Sequence, residues 1–215
     1  MNKYFSDHSR PITPRNDTKI VPCFTPGTRI ATPKGERLAE SLTVGDRILT
    51  RDNGIQTIAW AGWRPMSGQE LRDNPALRPI LIPAGSLGTD LPERDMLVSP
   101  QHRMLVVSDI ARAHFGEAEV LVPAKDLTKL PGIKVVNVQQ TAYVHFMCEK
   151  HQIVLADGTW TESFQPNDYA LKGVVAAQRE ELLRLHPALA NVEGRSAVGT
   201  ARRALRKLES YVLFK

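Results

Sequence analysis

The sequence contains no long apolar run, although 42% of its 215 residues are hydrophobic. Even its most apolar stretches, such as Ile153 to Ala156, fall far short of the ~20 residues that a helix needs to cross a bilayer. A membrane partner is therefore not expected. Residues 1–19 also lack an apolar h-region and an A-x-A-like cleavage site, so a Sec-type signal peptide is not expected. We expect a cytoplasmic protein, with a non-cleaved export signal elsewhere as the alternative.

Cysteine is also scarce, with Cys23 and Cys148 alone in the chain. Two cysteines cannot build the dense disulfide framework of a small secreted domain, although the sequence allows one disulfide bond between them. A reducing compartment fits better. His145, Cys148 and His151 have a spacing that suggests metal ligands, but a fourth ligand at zinc spacing is missing. We therefore expect neither a metal nor another cofactor.

Three regions follow one another along the chain. Residues 1–22 are polar, proline-containing and without periodicity, which predicts a flexible N-terminal leader. Residues 23–166 contain many short apolar segments separated by turn signals, such as Pro33-Lys34-Gly35, Asp52-Asn53-Gly54 and Asp157-Gly158. This pattern predicts an all-β domain with short helical pieces at Glu36 to Leu42 and Ala124 to Leu130.

Residues 167–215 show helical rather than strand periodicity. A first helix is predicted from an N-cap at Asn167 or Asp168 to a stop before Pro187, and a second from Ala201 to Val212 after a loop. From Gln178 onward, eight Lys or Arg residues stand against four Asp or Glu residues, so most of the formal net charge of +5 lies in this tail. The helices could pack against the β domain or dock a protein partner. A nucleic-acid partner is the less favoured interpretation of the same charge.

Cys23 stands at the junction between the leader and the first predicted strand. A thiol in this position can attack the carbonyl of the preceding residue, Pro22, and convert that peptide bond into a thioester. Cysteine suits this N-to-S acyl shift because sulfur is both a good nucleophile and a tolerable leaving group. On its own, a cysteine near a chain start is more typical of a small buried apolar residue.

Ser99-Pro100-Gln101-His102 follows the apolar segment Met96 to Val98. The departing amide nitrogen of an acyl shift must be protonated, and a histidine with a pKa near ~6.5 can perform that transfer at neutral pH. Ser99 could hydrogen-bond the scissile peptide. The alternative is an ordinary turn with a surface histidine.

Together these segments resemble the Hint (Hedgehog/intein) family. Cys23-Phe24, Gly27-Thr28 and Val44-Gly45-Asp46-Arg47-Ile48-Leu49 are similar to its opening block, and Ser99 to His102 is similar to its T-x-x-H block. Ala156-Asp157-Gly158 through Ser163 resembles the closing block, most closely that of bacterial Hint proteins with the pattern A-x-G-x-W-x-E-S. The resemblance covers residues 22 to 166.

The resemblance implies a horseshoe-like β fold with pseudo-twofold symmetry, in which these segments converge. It implies that Cys23 is the nucleophile, that His102 protonates the leaving nitrogen and that Ser99 binds the scissile Pro22-Cys23 peptide. His151 is a candidate second proton carrier. Ser163 is a further candidate, because Hedgehog domains carry a cysteine near that position.

Departures from the family pattern narrow the expected chemistry. Inteins end in His-Asn before Cys, Ser or Thr, whereas Glu162, Ser163 and Phe164 occupy the matching positions, so splicing is not expected. The missing thiol at Ser163 argues against sterol transfer. We expect cleavage of the leader, which is the domain's own substrate, by transfer to water or a small nucleophile. Since Pro22 crowds the acyl group, a catalytically silent scaffold that acts as a binding module is the alternative.

Overall fold

The computed structural model describes residues 21–214. Residues 1–20 of the predicted leader therefore lie outside the described residues. The strands are β1 Arg29–Thr32, β2 Gly35–Leu38, β3 Arg47–Leu49, β4 Ile55–Met66, β5 Ile80–Ile82, β6 Met96–Val98, β7 Arg103–Val107, β8 Glu119–Pro123, β9 Lys134–Val135, β10 Thr141–Cys148, β11 Ile153–Ala156, β12 Thr159–Glu162 and β13 Arg203–Ala204. The α-helices are α1 Gly68–Asp73, α2 Asp109–Phe115, α3 Asp168–Gly173, α4 Ala176–Leu185, α5 Val192–Val198 and α6 Lys207–Leu213. The strands up to β12 form the predicted β domain, and four of the helices follow it.

The largest sheet has seven strands in the order β13-β8-β7-β12-β11-β1-β2. The predicted turn at Pro33-Lys34-Gly35 joins β1 to β2, with Gly35 at a φ of 98° that favours glycine. The helical piece predicted at Glu36 to Leu42 is wrong. Glu36 pairs with Ala31 across the hairpin, so this stretch continues as strand to Leu38 and turns into a short 3-10 helix only at Ala39–Ser41.

The hairpin of β11 and β12 places the closing segment of the domain. Asp157 and Gly158 both have positive φ, at 46° and 77°, as a two-residue type I′ turn requires. Ala156 therefore pairs with Thr159, and Ile153 with Glu162. The predicted hairpin is confirmed, and it brings Thr161 against β7.

Two three-stranded sheets, β10-β4-β3 and β6-β5-β9, hold the start of the domain between them. Phe24 forms antiparallel bridges with both Val98 and Val144. In the second bridge an antiparallel register sets Cys23 opposite His145, one residue before Phe24 and one after Val144. The nucleophile candidate thus lies beside the middle of β10.

The C-terminal region differs from its prediction in three places. The loop predicted between its two helices, around Asn191 to Gly199, contains helix α5 over Val192–Val198. The first helix stops before Pro187 as predicted, but it is interrupted because Val174 and Val175 are not helical and separate α3 from α4. The predicted helix over Ala201 to Val212 is wrong in its first half. Arg203–Ala204 pairs in parallel with β8 instead, and α6 starts at Lys207.

The C-terminal elements pack against the β domain. Leu182, Leu189 and Val198 join a buried apolar cluster with Cys23 and Trp60, while Leu205 and Leu213 join the cluster between the sheets. Within residues 21–214, no helix combines the length and apolar character needed to span a membrane.

Three of the eight basic residues counted from Gln178 onward form ion pairs within the described part of the fold. Arg202 pairs with Asp52 and Glu119, Arg203 pairs with Glu209, and Arg195 pairs with Asp168. The pairs of Arg202 join the C-terminal region to the β domain.

Candidate active site around Cys23

Ser99 forms hydrogen bonds to the backbone on both sides of the Pro22-Cys23 peptide. Its hydroxyl donates to the Val21 carbonyl over 2.7 Å and accepts from the Cys23 N–H over 2.9 Å. Its own N–H donates to the Cys23 carbonyl. Ser99 is fully buried, and Pro22 is buried as well. Ser99 thus makes a hydrogen bond to the Pro22-Cys23 peptide, through the Cys23 N–H; cleavage of this peptide stays a prediction.

The Cys23 thiol faces His145, with Sγ 3.4 Å from Nδ1. Only 1% of Cys23 is exposed, and burial raises the pKa of its thiol well above the ordinary value, an effect that Arg64 and the Ser99 hydroxyl offset only in part. Burial also lowers the pKa of His145 to about 4. The pair therefore rests neutral rather than as a thiolate and an imidazolium, and the His145 tautomer decides which of the two atoms donates the hydrogen between them.

His145 is the partner of the thiol that sequence reasoning missed. The sequence drew attention to it only as a possible metal ligand, together with Cys148 and His151. Its ring stacks on Trp60 at a centroid distance of 5.0 Å and packs on Phe164 at 5.3 Å, which fixes the plane of the imidazole. The signal that would have found it is the register of β10 against residues 23 and 24, and that register cannot be read from local sequence.

His102 packs against Phe24, the residue that follows Cys23, with a distance of 4.4 Å between the two ring centroids. Its Nε2 is 2.6 Å from the Thr161 hydroxyl, which itself donates to the Arg103 carbonyl. The hydroxyl hydrogen is thus used, so Nε2 must be the donor and Nδ1 the unprotonated nitrogen. His102 Nδ1 is buried and has no hydrogen-bond partner.

The protonation state of His102 differs from the sequence expectation. Burial lowers its pKa from 6.5 to about 4, against the opposing influence of Glu162. The imidazole is therefore neutral at pH 7, and it would have to take up a proton before it could donate one to the Cys23 nitrogen.

His151 and Glu162 are buried and form a polar cluster with the partly exposed Arg103. His151 Nε2 lies 3.2 Å from the Glu162 carboxylate, and Nδ1 accepts from the Ala201 N–H. Burial disfavours the ionised form of Glu162, but Arg103 and the His151 hydrogen bond outweigh it and lower its pKa. His151 thus connects the closing strand to the C-terminal extension, and its two ring nitrogens contact these groups rather than Cys23.

Ser163 is paired along the closing hairpin. Its hydroxyl accepts from the Gln152 N–H over 3.0 Å, and its N–H donates to the Gln152 carbonyl. The structure thus brings Ser99 and His145 into contact with Cys23, places His102 next to Phe24, and directs the polar contacts of His151 and Ser163 elsewhere.

A narrow cavity lies beside the Cys23 thiol. About 10 Å³ is open to the centre of a water-sized sphere, which is space for about one water molecule. Val21, Arg64, Tyr143 and His145 contribute to its walls, and Gly173 to Val175, at the junction of α3 and α4, close one side.

No metal-binding arrangement accompanies this site. Within residues 21–214, no group of three or more His, Cys, Asp or Glu side chains is placed to hold a metal ion. Cys23 and Cys148 are both free and buried, in different apolar clusters.

The profile of the Hint domain family matches residues 22–168, which is more than half of the chain. The protein therefore belongs to the Hint domain family, and its fold is the sheet-rich Hint fold with C-terminal helices added. The curated proteins contain no match to the chain.

Solved structures of similar fold are inteins and an intein-like domain. A bacterial intein-like domain from Clostridium thermocellum is 12% identical, with a TM-score of 0.41, over 67% of this chain and 99% of that one. A splice-inactive variant of the AceL NrdHF class 3 split intein is 16% identical, with a TM-score of 0.45, over 66% and 97% of the two chains. The gp41-1 intein is 11% identical, with a TM-score of 0.38, over 65% and 97%.

Proposed function

We propose that this protein is an autoprocessing Hint domain that cleaves the Pro22-Cys23 bond once, through an N-to-S acyl shift and without splicing. The observation that carries the proposal is the set of hydrogen bonds from Ser99 to the backbone on both sides of that peptide, together with a thiol that lies 3.4 Å from His145 Nδ1. A structural cysteine needs neither contact.

The first step exchanges an amide for a thioester. His145 Nδ1 takes the thiol proton as Sγ attacks the Pro22 carbonyl carbon, and the bond from that carbon to the Cys23 nitrogen breaks. His102, after taking a proton from solvent, gives it to the departing nitrogen, while His145 returns its proton to solvent. The products are a thioester on Sγ and a free amine on Cys23, with no net gain or loss of atoms.

The second step transfers the acyl group to a small acceptor. Water attacks the thioester carbonyl, the carbon–sulfur bond breaks, and the leader leaves as a carboxylic acid while Cys23 regains its thiol. The size of the cavity beside Cys23 supports water or a nucleophile of similar size, because about 10 Å³ excludes a larger acceptor unless the wall formed by Gly173 to Val175 moves.

The closing strand supports cleavage without splicing. Asparagine cyclisation needs a carboxamide that is free to attack its own carbonyl, but Glu162 stands near that point as a carboxylate tied to Arg103 and His151. Ser163 follows, and its hydroxyl is occupied by a backbone contact.

A catalytically silent scaffold is the second candidate. It is favoured by the neutral state of the thiol, since the pKa of Cys23 is raised and that of His145 is lowered. Pro22 adds steric crowding at the carbonyl that must be attacked.

Intact-mass measurement of the purified chain separates these two functions. The proposal predicts release of residues 1–22 at neutral pH, accelerated by hydroxylamine, which is close to water in size, and loss of this release in Cys23→Ala. Cys148→Ala is the matched control, because it removes the other buried thiol, and it should cleave like the wild type. A wild-type chain that stays whole for days with hydroxylamine would refute autoprocessing and favour the scaffold.

A further inference from the structure

Gln178, at the start of α4, reaches the site from outside the segment that matches the Hint family. Its Nε2 donates to the Trp63 carbonyl over 2.6 Å. At the other end of the helix, His186 Nε2 lies 3.3 Å from the Ala59 carbonyl. Eight helical residues rise about 12 Å and four strand residues about 13 Å. The helix therefore lies along β4 with both ends attached to it.

The carboxamide oxygen of Gln178 is directed at the far side of His145. A Cβ built on Gly62 would lie 2.8 Å from His145 Nε2 and 2.9 Å from Gln178 Oε1, so both atoms border the same small space. Both are shielded from solvent, and neither has a hydrogen-bond partner among the described residues. Glycine at position 62 leaves room for this approach.

The two atoms complement each other in one tautomer only. An amide oxygen can only accept, so it favours a proton on His145 Nε2. That choice leaves Nδ1 with a lone pair, and Nδ1 is the atom that faces the Cys23 thiol. In the other tautomer Nδ1 would carry hydrogen and could not accept the thiol proton, and Gln178 Oε1 would stay unpaired.

We propose that Gln178 is a positioning residue of the site, which fixes His145 in the Nε2–H tautomer and thereby makes Nδ1 the base for Cys23. The inference rests on the proposed autoprocessing for its purpose, but the tautomer is a property of the resting protein. It assigns the C-terminal extension a part in the chemistry, in addition to its packing against the β domain. The polarity of the Gln178 side chain also favours the protonated form of His145, against the larger effect of burial.

The test measures the His145 tautomer by long-range ¹H–¹⁵N NMR, with the signal assigned through His145→Gln. The wild-type protein should show hydrogen on Nε2. Gln178→Glu keeps an acceptor oxygen but loses the donor to Trp63, and it should keep this tautomer. Gln178→Met loses both and should shift His145 towards the Nδ1–H form. Gln165→Met, which removes an amide bonded to the Gly199 carbonyl on the same extension, should change nothing.

The cleavage rate gives the second readout. Gln178→Met should slow leader release about 10- to 100-fold, as part of the roughly 10²- to 10⁴-fold that a positioned acid or base contributes, and Gln178→Glu should restore most of it. Hydrogen on Nδ1 in the wild type, or an unchanged tautomer in Gln178→Met, would overturn the inference. Equal defects in Gln178→Met and Gln178→Glu would also overturn it, since they would trace to the lost contact with Trp63. A correct tautomer in a chain that never cleaves would support the role of Gln178 and refute autoprocessing.

Discussion

At the scale of single residues, the side chains around Cys23 lie close enough to react, but the thiol and the imidazole are both uncharged. Ser99 and His145 contact Cys23 directly, yet burial keeps the thiol and the imidazole neutral. In the proposed autoprocessing, activation would therefore need a proton transfer during the attack itself, because no thiolate is present at rest. This arrangement makes the chain slow to react with external reagents.

Native Cys23 should resist alkylation. Because the thiol is buried and its pKa is raised, iodoacetamide at pH 8 should modify the folded protein at least about 100-fold more slowly than a free thiol. Cys148, also buried with a pKa raised to about 12 by burial, should behave alike. Mass spectrometry after denaturation should show two reactive thiols. Rapid labelling of Cys23 in the folded state would contradict the neutral pair.

Replacement of Pro22 tests the residue that opposes cleavage. Pro22→Gly removes the ring that crowds the scissile carbonyl, so leader release should become faster, by about tenfold or more if attack limits the rate. The first-order rate from intact-mass time courses provides the measurement. A double variant with Cys23→Ala should release nothing, and an unchanged rate in Pro22→Gly alone would mean that Pro22 does not limit the reaction.

At the scale of elements, turn chemistry could be predicted and pairing across the fold could not. Asp157-Gly158 and Gly35 have local signatures, so their hairpins follow from sequence. Glu36 to Leu38 were mistaken for helix because their strand pairing with β1 overrides local preference. The contact of His145 with Cys23 depends on residues more than a hundred positions apart, and Gln178 belongs to a helix whose docking site carries no local signal.

Helix α4 should contribute strongly to the stability of the site. Leu182 is fully buried in the cluster that contains Cys23, whereas Leu185 in the same helix is 47% exposed. Leu182→Ala should lower the free energy of unfolding by about 2–5 kcal/mol, measured by urea denaturation. Leu185→Ala, the matched control, should cost under about 1 kcal/mol. Similar losses in both variants would mean that α4 does not pack as described.

At the scale of the whole molecule, the fold buries two neutral histidines in the functional region. His102 and His145 have pKa values lowered by burial from 6.5 to about 4. Between pH 6.5 and about 4 the unfolded chain binds more protons than the folded protein. The free energy of unfolding therefore decreases as the pH falls through this range. Their contribution is fully present above pH 6.5.

This linkage predicts an acid-sensitive fold. Each histidine can account for up to about 3 kcal/mol between pH 6.5 and 4, at roughly 1.4 kcal/mol per pKa unit. Urea midpoints measured at pH 7, 6 and 5 should decrease in the wild type, and less steeply in His102→Gln. His114→Gln, at an exposed position on α2, serves as the control and should follow the wild type. Equal wild-type stability at pH 7 and 5 would contradict the buried neutral histidines.

The central claim, a thioester between Pro22 and the Cys23 thiol, is tested most directly by trapping with hydroxylamine at neutral pH. Hydroxylamine converts a thioester into a hydroxamate but leaves an ordinary peptide bond intact under these conditions. Mass spectrometry should find a peptide of residues 1–22 that ends in a Pro22 hydroxamate, and should find none from Cys23→Ala. A wild-type chain that yields no such peptide, or an equal yield from Cys23→Ala, would contradict the account.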